Sequence, residues 1–155
     1  MGWQVRLTAA DDTAAIAAVF RRSRAAALPW LPVLHTPEED LAYFGSQIAG
    51  SDVALVADDG AVIGFAIAHD GWLNHLYVDP EQRGCGIGTA LLTAVRAHET
   101  GPMQLWAFQR NQAARDLYGR NGWREVELTD GAANEEREPD VRMAIGAARA
   151  TAIDR

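Results

Sequence analysis

Apolar and polar positions alternate over residues 3–7, which predicts a short strand. Ile16, Val19 and Phe20 then recur at helical spacing behind Asp11 and Asp12, acidic residues suited to a helix N-terminus. Leu28-Pro29-Trp30-Leu31-Pro32 breaks that helix. Thr36-Pro37-Glu38-Glu39 opens another: Thr36 is a cap, Pro37 fits the first helical position, and Glu39 follows three residues after the cap. Its apolar stripe is Leu41, Phe44 and Ile48. Residues 53–57 and 62–68 read as strands joined by the turn Asp58-Asp59-Gly60. Residues 72–78 form a third strand of this group. A glycine-rich loop follows, then a helix carrying Leu91, Leu92 and Val95. Residues 103–108 predict a strand, 111–120 a helix closed by Asn121-Gly122, and 123–128 and 141–145 two last strands around a polar loop.

The resulting order is strand, two helices, three strands, helix, strand, helix, two strands. It predicts an α/β chain of the α+β type, a mixed sheet with helices on its faces. No repeat or linker interrupts it. Residues 1–146 read as a single domain and 147–155 as an Ala/Arg-rich tail.

At 155 residues and 48% hydrophobic, the chain can bury a core of its own. A net charge of −7 argues against non-specific binding to nucleic acid or to an anionic membrane. Cys85 is the only cysteine, so no internal disulfide and no cysteine-rich zinc site is expected, and no metal cluster is visible. No apolar run is long enough to span a membrane, and Met1-Gly2-Trp3 does not open a signal peptide. The expected compartment is the cytoplasm.

The stretch LNHLYVDPEQRGCGIGTALL, residues 73–92, carries the candidate chemistry. A strand ends at Asp79-Pro80, and Arg83, Gly84, Gly86 and Gly88 lead straight into a helix. Such a junction turns several backbone N–H groups toward one point at a helix N-terminus, where an anion such as a phosphate can sit. An ATP-type loop would need Gly-Lys-Ser/Thr, and here Thr89 follows Gly88 with no lysine. A dinucleotide fold would carry its glycines after the first strand, whereas several strands precede these.

This segment resembles the acyl-CoA-binding motif of the GNAT N-acetyltransferase superfamily, Gln/Arg-x-x-Gly-x-Gly/Ala, through Arg83, Gly86 and Gly88. A second family-like motif follows: Asn111, Ala114, Leu117, Tyr118, Gly122 and Trp123, where the family usually has phenylalanine at the last position. The two motifs span residues 73–123. The resemblance implies a sheet of about seven strands, mostly antiparallel and splayed between the fourth and fifth, with about four helices. It implies acetyl-CoA as cosubstrate, with no metal, and transfer of acetyl directly to a primary amine of a small molecule or peptide. A non-catalytic acyl-CoA-binding sensor with the same fold is the alternative. Dimers are common in the family, so a homodimer is a further expectation.

On this resemblance, Leu76, Tyr77 and Val78 line the pantetheine arm. The backbone N–H groups of Arg83, Gly84, Cys85, Gly86, Ile87, Gly88 and Thr89 hold the pyrophosphate. Asn111 binds the pantetheine side, caps its own helix, or does both. Tyr118 is the general acid beside the departing sulfur, or else a core aromatic. The Val78 N–H stabilises the oxyanion. The base is open. Strict alternation puts Trp72, Asn74, Leu76 and Val78 on one strand face, so Trp72 and Asn74 stand where the family often has Glu, Asp or His. Asn74 could orient the amine or a water. His75 falls on the other face as a packed or surface histidine. His35, Glu135 and Glu136 lie in loops that border the acceptor pocket in this family. Arg21, Arg22 and Arg24 read as a polar helix face, or one of them meets an acceptor carboxylate. Trp30, Phe44 and Trp72 are pocket walls or core. Cys85 has no histidine partner in sequence and is not expected to act as a nucleophile.

Overall fold

The computed structural model describes residues 2–146, so the expected tail at 147–155 lies outside the described residues. Among the described residues seven strands and four helices follow the expected order: β1 (Gln4–Leu7), α1 (Thr13–Ala27), α2 (Pro37–Ala49), β2 (Val53–Asp58), β3 (Val62–His69), β4 (Trp72–Val78), α3 (Ile87–His98), β5 (Met103–Phe108), α4 (Gln112–Arg120), β6 (Arg124–Leu128) and β7 (Asp140–Ile145). The strands form one sheet in the order β1-β2-β3-β4-β5-β7-β6. Every neighbouring pair is antiparallel except β4 and β5.

β2 and β3 are apolar on both faces because both faces are covered. Val53, Leu55 and Ala57 turn toward Leu91, Leu92 and Val95 of α3. Ala54 and Val56 turn the other way, toward Ile16 and Val19 of α1 and Phe44 of α2. Gly64 makes the first of these contacts possible. A β-carbon there would lie 3.1 Å from Ile87 Cγ2 and 3.2 Å from the Tyr77 carbonyl oxygen, so α3 could not close on β3.

The capping box of α2 forms as its sequence predicts: the Glu39 N–H donates to Thr36 Oγ1 (3.1 Å), and the Thr36 N–H to Glu39 Oε1 (2.8 Å). α1 starts two residues later than its acidic pair suggests. Asp12 belongs to a preceding 3₁₀ turn (Ala10–Asp12), where its carboxylate accepts from the Ala9 N–H and from Arg6. Trp123, expected to begin a strand, instead packs its ring under Tyr118 and is 3% exposed.

β4 departs from strict alternation. Ile67 pairs with His75 and Ala68 with Leu73, which leaves Asn74 as the extra residue of a β-bulge. Leu73 therefore joins Leu76 and Val78 on the α3 face, while His75 and Tyr77 face α1 and α2. The expected shared face of Trp72, Asn74, Leu76 and Val78 does not exist, because the inserted residue resets the two-residue period.

β4 and β5 share a single paired position, Trp72 with Gln104. From there the strands part toward their C-terminal ends, Val78 and Phe108. The sheet is thus closed at one end of β4 and open at the other.

Candidate active site

The opening begins where β4 runs into the glycine turn. The Asp79 N–H donates to the Ile63 carbonyl of β3 (2.8 Å). Backbone groups alternate sides along a strand, so those of Val78 and Leu76 turn away from β3, toward the gap that β5 leaves. Asp79 then caps the short turn Pro80–Gln82 through its Oδ1 (3.0 Å to the Glu81 N–H). Arg83, Gly84, Cys85 and Gly86 follow, all exposed.

Gly84 and Gly86 have φ of +80° and +83°, a left-handed conformation that favours glycine. A β-carbon on either would meet nothing within 4 Å. Gly86 is the N-cap of α3, so no side chain competes for the first N–H groups of that helix. Gly88 is glycine for a different reason: a β-carbon there would lie 3.0 Å from Leu117 Cδ2 of α4. Ile87 is buried in the core, and Thr89 is exposed beside Asn121 (3.5 Å). Cys85 is exposed, with its sulfur nearest the Arg83 carbonyl.

The second motif brings α4 to the same opening. Asn111 caps that helix by accepting from the Ala114 N–H (3.2 Å). Tyr118 is 8% exposed and packs on Trp123, with ring centroids 5.9 Å apart. Among the described residues its hydroxyl has no hydrogen-bond partner. Burial, reinforced by nearby Tyr77, pushes its pKa well above the ordinary phenol value. Tyr118 is therefore held protonated, as a donor.

On the α1/α2 side, Tyr77 is partly buried against Phe20 and Phe65, with ring centroids 5.1 and 5.7 Å away. His75 sits among Phe20, Tyr43, Phe44 and Tyr77, with centroid distances from 5.0 to 6.4 Å. Its Nε2 lies 2.9 Å from the Tyr43 hydroxyl. Burial first, then the charge of Arg24, lowers its pKa to about 4, so the ring is neutral at pH 7. The Arg24 guanidinium lies over Phe20 (5.0 Å) and Phe108 (5.8 Å) and donates to Glu136 (3.2 Å). It thereby links α1 to the far half of the sheet across the opening. Arg110 covers Trp30 at 3.8 Å, and Trp30 meets Phe108 edge-on.

Loop residues singled out in the sequence converge on this side. His35 Nε2 lies 2.9 Å from Glu135, and its Nδ1 lies 3.7 Å from Glu39. These carboxylates, Glu135 foremost, raise the His35 pKa. A cavity of about 500 Å³ lies between α1 and the chain after it, lined in part by Arg24, His35 and Glu136. The structure does not bring Trp72 to this group. It stands at the closed end of the parting strands, about 20 Å along β4 from Val78 at the rise of an extended chain. Asn74 is exposed in the bulge.

Sequence reasoning missed Tyr43, Phe108 and the Arg24–Glu136 link. Tyr43 gives no signal, because it occupies a polar-face position of α2. Arg24 and Glu136 are 112 residues apart, and only the fold relates them.

Three buried side-chain polar atoms among the described residues have no hydrogen-bond partner: Arg24 Nε, His75 Nδ1 and Trp123 Nε1. Two belong to neighbours of Tyr77 and the third to the ring under Tyr118. Native folds leave few such groups, and here they gather around the opening of the sheet.

Comparison with curated proteins finds no match. Among solved structures, the chain is similar to a GCN5-related N-acetyltransferase from Rhodopseudomonas palustris, with 22% identity, TM-score 0.76 and 92% and 94% of the two chains covered. It is similar to the apo form of YjaB from Escherichia coli, with 19% identity, TM-score 0.74 and 93% and 97% covered. It also resembles the PaiA N-acetyltransferase from Thermoplasma acidophilum in complex with coenzyme A, with 20% identity, TM-score 0.67 and 94% and 99% covered. Residues 49–125 match the family described as the acetyltransferase (GNAT) domain. With the parted strands, the glycine turn and this match in agreement, the chain belongs to the GNAT acetyltransferase superfamily.

Proposed function

We propose that this protein is an acetyl-CoA-dependent N-acetyltransferase that moves acetyl directly to a primary amine of a small molecule or peptide. The observation that carries this reading is the parting of β4 from β5 beside the glycine turn. There, backbone groups of Leu76 and Val78 are turned into the gap, and Tyr118 stands at the same opening. The fit to an acyl-CoA is local and physical. Where β-carbons of Gly84 and Gly86 would stand there is open space, and the N–H groups of Ile87, Gly88 and Thr89 begin α3 without intrahelical acceptors. A pyrophosphate suits that turn, and a pantetheine arm suits the strand-like gap. The PaiA relative holds coenzyme A.

In this reading the Val78 N–H donates to the oxyanion formed when the amine attacks the thioester. Tyr118 faces the departing sulfur. A thiol of pKa ~8.5 and a phenol of ~10 already differ by about 2 kcal/mol, and burial of Tyr118 widens the gap. Full proton transfer to the thiolate is thus uphill. Tyr118 serves as a hydrogen-bond donor, and solvent supplies the proton later.

The amine must lose a proton. For an alkyl ammonium of pKa ~10.4, release to solvent at pH 7 costs about 4–5 kcal/mol. Handing that proton to a histidine of pKa about 4 would cost about 9 kcal/mol on the same scale. Solvent release is the cheaper route, with Glu135 and Glu136 beside the opening. His75 instead orients Tyr43, and Asn74 is a candidate for orienting the amine or a water.

The test is release of free thiol from acetyl-CoA with a panel of amines, beside calorimetric titration with acetyl-CoA. Binding with amine-dependent thiol release supports the transferase. Binding without release for any amine favours a sensor module, and no binding removes both readings.

A further inference from the structure

The cavity between α1 and the chain after it has two unlike walls. One is apolar, built from Leu28, Leu31, Val33 and Leu34. Val33 is 78% exposed and Leu34 45%, which is costly surface to leave in water. The other carries Arg21, Arg22 and Arg24. Its volume, about 500 Å³, falls in the range of small-molecule sites, roughly 300–1,000 Å³.

The three arginines are not equivalent. Arg21 holds Asp40 at 2.5 Å and Arg22 holds Asp79 at 2.5 Å. Arg24 holds Glu136 more loosely, at 3.2 Å, and its Nε has no acceptor. Each arginine of the cavity wall thus has one carboxylate, and the Arg24 pair is the longest of the three. The Arg24 guanidinium lies over Phe20 and Phe108 and gives an Nη2 donor to Glu136; a planar, two-oxygen ligand would compete with Glu136 for it by the fork geometry with which arginine selects carboxylates. The same Arg24 lies over Phe20, whose ring meets that of Tyr77 (centroids 5.1 Å), the residue before Val78. A ligand anchored on it is therefore held next to the reacting centre.

We propose that the acceptor is a small α-amino acid with an apolar side chain, its carboxylate held by Arg24 and its side chain against the Leu28–Leu34 wall. This deepens the acetyltransferase reading and rests on it for the reacting group. The amine nitrogen attacks the thioester carbon, the carbon–sulfur bond breaks, and the nitrogen's proton passes to solvent. The products are an N-acetylamino acid and the free thiol.

The experiment has a binding arm and a turnover arm. N-acetylleucine and N-acetylleucinamide are titrated into coenzyme A-bound protein, and leucine and leucinamide are compared in thiol release from acetyl-CoA. The carboxylate forms are expected to lead by about 10-fold or more, the scale of a charge-assisted pair. Arg24→Gln should erase that lead, and Arg24→Lys, which keeps the charge and loses the fork, should restore only part of it. A thermal shift with acetyl-CoA checks that each variant is folded, and the acid-to-amide ratio of the wild type needs no variant at all. Equal binding of acid and amide, or binding of neither, overturns the proposal. If N-acetylleucine binds through Arg24 while leucine releases no thiol, the amino acid is a ligand here and not the acceptor, and this proposal falls; the transferase reading falls with it only if no amine of the panel releases thiol. If leucinamide serves as well as leucine, the transferase stands and this proposal falls.

Discussion

The Tyr43 hydroxyl lies 2.9 Å from His75 Nε2, and the imidazole behind it is buried among aromatic rings with its other nitrogen unpartnered. The pKa of His75, lowered to about 4 in the fold, makes the protein sensitive to acid. A group buried in its neutral form contributes stability that is present above the unfolded value, about 6.5, and is lost as pH falls toward the folded value. The shift corresponds to about 3 kcal/mol. Denaturant unfolding measured from about pH 7 down to 4.5 should show that decline, and His75→Phe, which keeps the ring packing, should flatten it. An unchanged acid limb in the variant would mean that His75 is not the group responsible.

Tyr118 offers a sharper test of chemistry. If it only donates a hydrogen bond to the leaving sulfur, Tyr118→Phe should lower kcat by about 10- to 100-fold, the scale of one bond to a charged group, with acetyl-CoA affinity nearly intact. A loss nearer 10⁴-fold would instead indicate full general-acid transfer. Unchanged kcat would take Tyr118 out of the mechanism and leave it a core aromatic beside Trp123.

At Gly86 the backbone φ of +83° and the open space beside the α-carbon coincide. Gly86→Val would place a branched side chain where the phosphate is expected, and would strain the cap of α3 by about 1–3 kcal/mol. Acetyl-CoA should raise the melting temperature of the wild type and not that of the variant. A shift that survives the substitution would put the cofactor elsewhere. Gly88 makes a useful contrast. A β-carbon there would lie 3.0 Å from Leu117 Cδ2, so Gly88→Ala should cost stability through α3–α4 packing before it touches binding.

Element order was legible in the sequence because β2 and β3 are continuous apolar runs with a turn between them, and because Thr36 and Glu39 spell a capping box. The glycine turn was legible because glycine at positive φ leaves a mark in sequence. The β4 bulge was not. Asn74 carries no local signal for an inserted residue, and one extra residue moved Leu73 onto the face assigned to Asn74. Nor could spacing place Trp72, since strict alternation says which face a residue takes but not where two strands part. The Arg24–Glu136 and His35–Glu135 contacts join positions 112 and 100 residues apart. Only the return of the β6–β7 loop over α1 creates them.

His35 and Glu135 tie that loop to the segment before α2 over the same cavity, and the tie depends on pH. Glu135 accepts from His35 at 2.9 Å and raises its pKa, with Glu39 and Asp40 adding to the field, while Arg21 donates to the His35 carbonyl oxygen. A raised value means that the contact contributes fully below the ordinary imidazole value and fades as pH rises through the raised one. Both side chains are exposed, so the effect on global stability is small, and the informative measurement is local. Amide hydrogen exchange in residues 129–139 should be slower in the wild type than in Glu135→Gln at about pH 6, with the two converging by about pH 8.5 after correction for intrinsic rates. Glu135→Gln keeps the loop's length and shape, so a difference that persisted unchanged across that range could not come from the charge on His35. Screening offers a second check on the same contact. Added salt should shrink the difference at the acid end, as it does for any exposed ion pair, and a salt-independent difference would point to packing of the loop rather than to this pair.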